Sequence, residues 1–264
     1  MKTISFVLVA LLVAGTAAVV RGDAAPALDT ADDSAYDAGW TNGSNGGYGF
    51  DPWSISINTT GGTFIGSSAN NGGGSSGDID TGGESWGLWS STNGDVNVWR
   101  VFSNGTLAVG EVFEIDLDNG YIADGGSVGL GLQNSGGANL WEYYFVGGNS
   151  DYTINDNAGQ WDSGIPWTED GMSLSFQLTG ATSYSVQVTA YFEGGISSTN
   201  YNFTGHLIGD SDQNIARFHL WSYQAGGGSA YDFFANSASV VPEPTPVTLL
   251  AGAGIALLAV RRRR

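Results

Sequence analysis

Glu114-Ile115-Asp116-Leu117-Asp118 is the run in this chain best suited to acid–base chemistry. On a strand, alternate side chains share a face, so Glu114, Asp116 and Asp118 would point one way and Phe113, Ile115 and Leu117 the other. Adjacent acids on that face lie about 7 Å apart and the outer two about 13 Å apart. A retaining glycosidase needs two carboxylates ~5 to 5.5 Å apart around a sugar. Asp118 runs directly into Asn119-Gly120, a pair that favours a turn. A second oxygen-rich run, Asp210-Ser211-Asp212-Gln213-Asn214, suits a hard cation, and Asp210, Asp212 and Asn214 are its candidate Ca²⁺ ligands. It is not an EF-hand, because Ile215 stands where that loop needs glycine and Trp221 where it needs glutamate. No other cofactor is expected. The chain has no cysteine, which removes thiolate catalysis, disulfides and zinc–thiolate sites. Its two histidines, His206 and His219, accompany no Gly-X-Ser-X-Gly elbow.

Aromatic side chains are the other chemical resource. There are nine tryptophans, and their faces can stack on sugar rings. Trp161 and Trp167 lie in the loop-like stretch 159–171 and are the candidates for exposure and glycan stacking. Trp99, Trp141 and Trp221 fall in apolar-alternating runs, where burial is the commoner fate.

The charge distribution excludes whole classes of partner. Residues 23–244 hold all 26 acidic residues and only two basic ones, Arg100 and Arg217, for a net −24. Such a body repels nucleic acid and anionic lipid. The other six basic residues sit near the two ends.

Those ends read as addresses. Lys2 followed by the uncharged run Ile4 to Val20 and small residues describes a signal peptide over 1–22, for export machinery and signal peptidase. Residues 23–39, rich in Ala and Asp, read as a flexible leader. At the other end Pro242-Glu243-Pro244 precedes an apolar stretch, Val247 to Val260, and then Arg261 to Arg264. As a helix that stretch spans about 21 Å, short of the ~30 Å hydrocarbon core. Arginines beyond it hold that end in the cytoplasm, leaving the acidic body outside. Residues 242–264 resemble the PEP-CTERM sorting signal of Gram-negative bacteria, with motif, short transmembrane helix and arginine tail in order. The resemblance implies that an exosortase-type enzyme recognises Pro242, Glu243 and Pro244 and processes the tail. It also implies transient membrane anchoring and then a place at the cell surface, with exopolysaccharide and biofilm.

Between the ends, period-2 runs rich in Val, Ile, Tyr, Phe and Trp alternate with Gly, Asn, Ser and Asp clusters. They include 53–57, 96–102, 112–117, 128–132, 140–146, 174–178, 184–192, 215–223 and 231–241. About a dozen strands with no break in composition predict an all-β, antiparallel β-sandwich over 40–241. A jelly roll of the concanavalin-like lectin type is the first expectation, and two small sandwiches split near 155–168 the second. The 114–118 run resembles the acidic strand of laminarinase-like jelly-roll hydrolases, with Asp118 where that pattern carries glutamate. Two functional expectations follow. The first is a non-catalytic surface or matrix protein whose sandwich is adhesive, structural or glycan-associated. The alternative is a secreted polysaccharide hydrolase using Glu114 and Asp116.

Overall fold

Alternation decides which way each strand faces. In Met172–Leu178 the odd-one-out residues Ser173, Ser175 and Gln177 stay half-buried while Met172, Leu174, Phe176 and Leu178 are fully buried. Repeated along the chain, this period builds fifteen strands in the computed structural model, which describes residues 26–58, 60–72, 77–103 and 105–242. They are β1 (Ala27–Asp29), β2 (Ser54–Asn58), β3 (Gly61–Gly66), β4 (Ser85–Ser90), β5 (Asp95–Val101), β6 (Val112–Asn119), β7 (Ser127–Gln133) and β8 (Asn139–Val146). Then come β9 (Asp151–Asp156), β10 (Gly159–Pro166), β11 (Met172–Leu178), β12 (Ser183–Phe192), β13 (Ser197–His206), β14 (Arg217–Tyr223) and β15 (Phe233–Val241).

Two sheets result, antiparallel throughout. One runs β13-β12-β11-β6-β15-β4-β3, with β1 added beside β15. The other runs β10-β9-β8-β7-β14-β5-β2. Their inner faces interdigitate into one core that includes Trp40, Trp53, Trp86, Trp141, Phe113, Phe176 and Phe218. The architecture is therefore a single jelly-roll-like sandwich, and the 155–168 region is no boundary: β9 and β10 continue the seven-stranded sheet.

Residues 26–39 correct the expectation of a flexible leader. β1 pairs with β15, Ala27 opposite Val240 and Asp29 opposite Ala238. Asp29 is buried in an ion pair with Arg100, Nη1 to Oδ2 at 2.7 Å. Arg100 also donates to the Tyr36 hydroxyl at 2.9 Å, to Asn45 at 2.8 Å and to the Gly46 carbonyl at 2.9 Å, and lies 4.9 Å over the Trp53 ring. A buried guanidinium demands such partners. The Ala/Asp composition hides this, because Asp29 meets its cation only through a contact 71 residues away.

Among the described residues no helix is long and apolar enough to cross a membrane. The proposed signal peptide, 1–22, lies outside the described residues, as do Glu243, Pro244 and the apolar and arginine segments after them. Pro242 is the first residue past β15 and is half-buried.

Candidate functional site

The outer face of the seven-stranded sheet gathers the aromatic and polar groups that can hold a ligand. Strand parity puts Asn97 and Trp99 of β5, Arg217, His219 and Trp221 of β14, Gln133 of β7, and Asn139, Glu142 and Tyr144 on that side, opposite the core. Trp99 and His219 stack with ring centroids 4.9 Å apart and planes 10° from parallel. His219 and Trp221 follow at 5.4 Å, and Trp221 meets Tyr144 at 5.9 Å. Four rings thus form a row across β5, β14 and β8. Gly129 of β7 makes room for it, since a Cβ there would fall 2.8 Å from the Trp221 ring and 2.4 Å from the Tyr144 Cβ.

A hydrogen-bonded chain of side chains locks the row. His219 Nε2 donates to Asn97 Oδ1 at 2.9 Å, while Asn97 donates to Asp95 at 2.7 Å. On the other side Gln133 Nε2 faces His219 Nδ1 at 3.4 Å and donates to Asn139 at 2.6 Å. Asn139 and Asn155 then donate to the two oxygens of Glu142. Arg217 Nε donates to Gln133 Oε1 at 2.8 Å, with its guanidinium 5.9 Å over Trp99. Every member has one consistent donor–acceptor role, which requires neutral His219. Burial, reinforced by Arg217, holds its pKa down at about 4. Among the described residues the only ion pair is Arg100–Asp29, so no described carboxylate pairs with Arg217.

The row continues into an open depression of about 550 Å³ lined by Tyr144, Asp151, Thr153, Gln160 and Asp162. A second depression of about 360 Å³ adjoins it through Gly148, Asn149 and Ser150 and is lined by Tyr121 and Trp167.

The predicted residues fall in several places. Trp167 is half-buried and stacks on Tyr121 at 5.3 Å, with Nε1 donating to the Gly120 carbonyl at 3.2 Å. Trp161 is half-buried against the core rim, 5.6 Å from Phe203, and also lines the depression of about 550 Å³. Neither is fully exposed, because β10 occupies most of the expected loop. Trp99 and Trp221, expected in the core, are instead half-buried on the outer face, and Trp89 of β4 is exposed.

Glu114 and Asp116 lie on the opposite sheet and line a depression of about 290 Å³ with Ser173, Ser175, Gln187, Thr189 and Ser237. Ser173 donates to Asp116 at 2.5 Å and Ser239 to Glu114 at 3.2 Å. Burial raises the Asp116 pKa, and neighbouring Glu114 adds to the rise. Asp118 does not join them on an open face. It is fully buried, accepts a hydrogen bond from Asn71, and is pushed well above the usual carboxylate range by burial, with Asp170 and Asp80 adding repulsion. The reason is Asn71, which reaches Asp118 from the segment 67–72, itself tied to Asp80 through Ser67 and Ser68.

Asp210, Asp212 and Asn214 sit on an exposed loop, where Asn214 spends its amide on Asp212 at 3.3 Å. Among the described residues no three His, Cys, Asp or Glu side chains come together as a metal cage.

No family model matches this chain, and no curated protein matches it. Some solved structures are weakly similar to it. The globular domain of T. cruzi calreticulin is 10% identical, with 80% of this chain and 95% of that one covered and a TM-score of 0.45. The catalytic domain of a glycoside hydrolase family 131 protein from Coprinopsis cinerea is 11% identical, covering 61% and 71%, at 0.43. A legume lectin-like domain from Entamoeba histolytica is 11% identical, covering 60% and 84%, at 0.38. Likeness at this level concerns the sandwich architecture and carries nothing about ligand or chemistry.

Proposed function

We propose that this chain is an exported surface protein whose sandwich binds glycan without cleaving it, on the outer face of the seven-stranded sheet. The observation that carries the reading is the Trp99–His219–Trp221–Tyr144 row, held rigid by the amide network and continuous with a polar depression. The rings stack on one another and together present an apolar strip to the C–H groups of a sugar, while sugar hydroxyls match the neighbouring amides, carboxylates and Arg217. The side chains are already locked, so little ordering entropy opposes binding. Export and sorting rest on the terminal motifs: a signal peptide at 1–22 and processing at Pro242-Glu243-Pro244 by an exosortase-type enzyme, with exopolysaccharide as the matching partner outside. Affinity electrophoresis through gels of neutral and acidic polysaccharides tests the binding. Trp99→Ala and Trp221→Ala should each weaken retention by roughly tenfold, about 1.4 kcal/mol. Retention unchanged in both would refute the site. Intact mass of surface material tests the sorting, which fails if the mature form keeps all four terminal arginines.

A second reading, a polysaccharide hydrolase, draws on one observation: Glu114 and Asp116 share a depression and burial raises the Asp116 pKa. Release of reducing sugar that disappears in Glu114→Gln would favour it over the first.

A further inference from the structure

β13 ends the eight-stranded sheet, and no described strand covers its outer edge. It pairs with β12 over all ten residues in unbroken register, from Ser183 opposite His206 to Phe192 opposite Ser197. Protein edges are normally blunted by charges, prolines, bulges or short length, because a free row of N–H and C=O groups invites another strand. β13 has none of these devices: Ser197–His206 contains no Pro, Asp, Glu, Lys or Arg. The other three sheet ends do. β10 shifts register between Asp162 and Pro166 and ends in proline, and β2 and β3 have five and six residues. At the β12–β13 turn Ile196 is 86% exposed, the most exposed large apolar side chain among the described residues.

Charge indicates what sits there. Two copies of a body carrying net −24 repel wherever their acids meet. β13 itself carries none. Its outward row is Ser198, Asn200, Asn202, Thr204 and His206, all exposed, and its inward row includes half-buried Tyr201 and Phe203. The strip is also self-complementary. A two-fold axis through Asn202 places Asn202 opposite Asn202 of the partner subunit, Asn200 opposite Thr204 of the partner subunit, and Tyr201 opposite Phe203 of the partner subunit. Amide–amide, amide–hydroxyl and aromatic pairs of this kind each stabilise an antiparallel ladder.

We propose that β13 pairs antiparallel with β13 of a second copy, joining two eight-stranded sheets into one and leaving both seven-stranded faces free. Sedimentation velocity on the purified full chain is the test. The unmodified protein is expected to run as a dimer. Asn202→Lys and Asn202→Glu each put like charges against each other at the axis and should weaken the dimer at least about tenfold. An equimolar mixture of the two should restore it. Ser175→Lys, two strands in from the edge, should leave the dimer intact. Circular dichroism on each variant verifies that an exposed strand residue was changed without unfolding. A monomer for the unmodified chain, a persistent dimer in Asn202→Lys, no rescue on mixing, or dissociation by Ser175→Lys would each overturn the proposal. Capture of an unrelated strand in place of the second copy would do the same.

Discussion

His219 lies flat against Trp99, 4.9 Å between centroids, and burial, reinforced by Arg217, keeps it neutral. Its pKa of about 4 in the fold, against 6.5 when unfolded, sets a sign. The unfolded chain binds the proton first, so this group's contribution is fully present above pH 6.5 and is lost as pH falls towards 4. The loss is on the order of 3 kcal/mol. Melting curves from pH 7 to 4 should fall more steeply for the native chain than for His219→Gln. Parallel curves would show that His219 is not the buried neutral group described.

Arg100 should be among the most sensitive positions. Truncation to Met strands Asp29, already held at about 6 by burial despite the cation, and should cost about 3–5 kcal/mol in urea unfolding. A folded-state pKa above the unfolded value destabilises as pH rises through it, and losing Arg100 enlarges that shift. The Arg100→Met deficit should therefore be larger at pH 8 than at pH 5. Adding Asp29→Asn should recover part of it.

Asp232 is pushed up to about 7 by burial alone. Its stabilisation is present below pH 3.8 and lost as pH rises through 7. Asp232→Asn should match the native chain at pH 4 and exceed it at pH 8 in thermal stability. Equal stability at both would show that the carboxyl is solvated.

Asn236 ties three segments together: its own strand β15, the chain at Ala31 and the turn 79–84. Its Oδ1 accepts from the Ala31 N–H at 3.0 Å, and its Nδ2 donates to the Ile79 and Glu84 carbonyls at 2.9 and 3.0 Å and to Thr81 at 3.1 Å. Asn236→Ala leaves several buried groups unpaired, at about 1–3 kcal/mol each before relaxation. Hydrogen exchange at Ala31 should accelerate in that variant beyond the change at the core strand β7.

The strands legible in the sequence are those with one apolar and one polar face. The runs 96–102, 112–117, 140–146 and 184–192 match β5, β6, β8 and β12 closely. β1, β3, β4, β9, β10 and β13 were not legible: β3, β10 and β13 are sheet-edge strands that bury little and whose Gly, Ser, Thr and Asn residues mimic loops, while β1, β4 and β9 are short and lie close to Gly, Asp or Asn. The site was legible only in kind. The sequence shows aromatic residues in plenty, but parity alone does not reveal that Trp99 faces out while Arg100 faces in. That choice is made by Asp29, far away in sequence. Asp118 fails the same way: the strand period points it beside Asp116, and a loop from elsewhere covers it.

β15 has β6 along one side and β4 and β1 sharing the other, and the chain leaves it at Pro242. Tension applied at that end runs along the strand axis, at right angles to the inter-strand hydrogen bonds. The bonds on both sides are then sheared together instead of being opened one after another. A molecule held from its C-terminal side while gripping a ligand on the far sheet would resist pulling through the strand best placed to bear load.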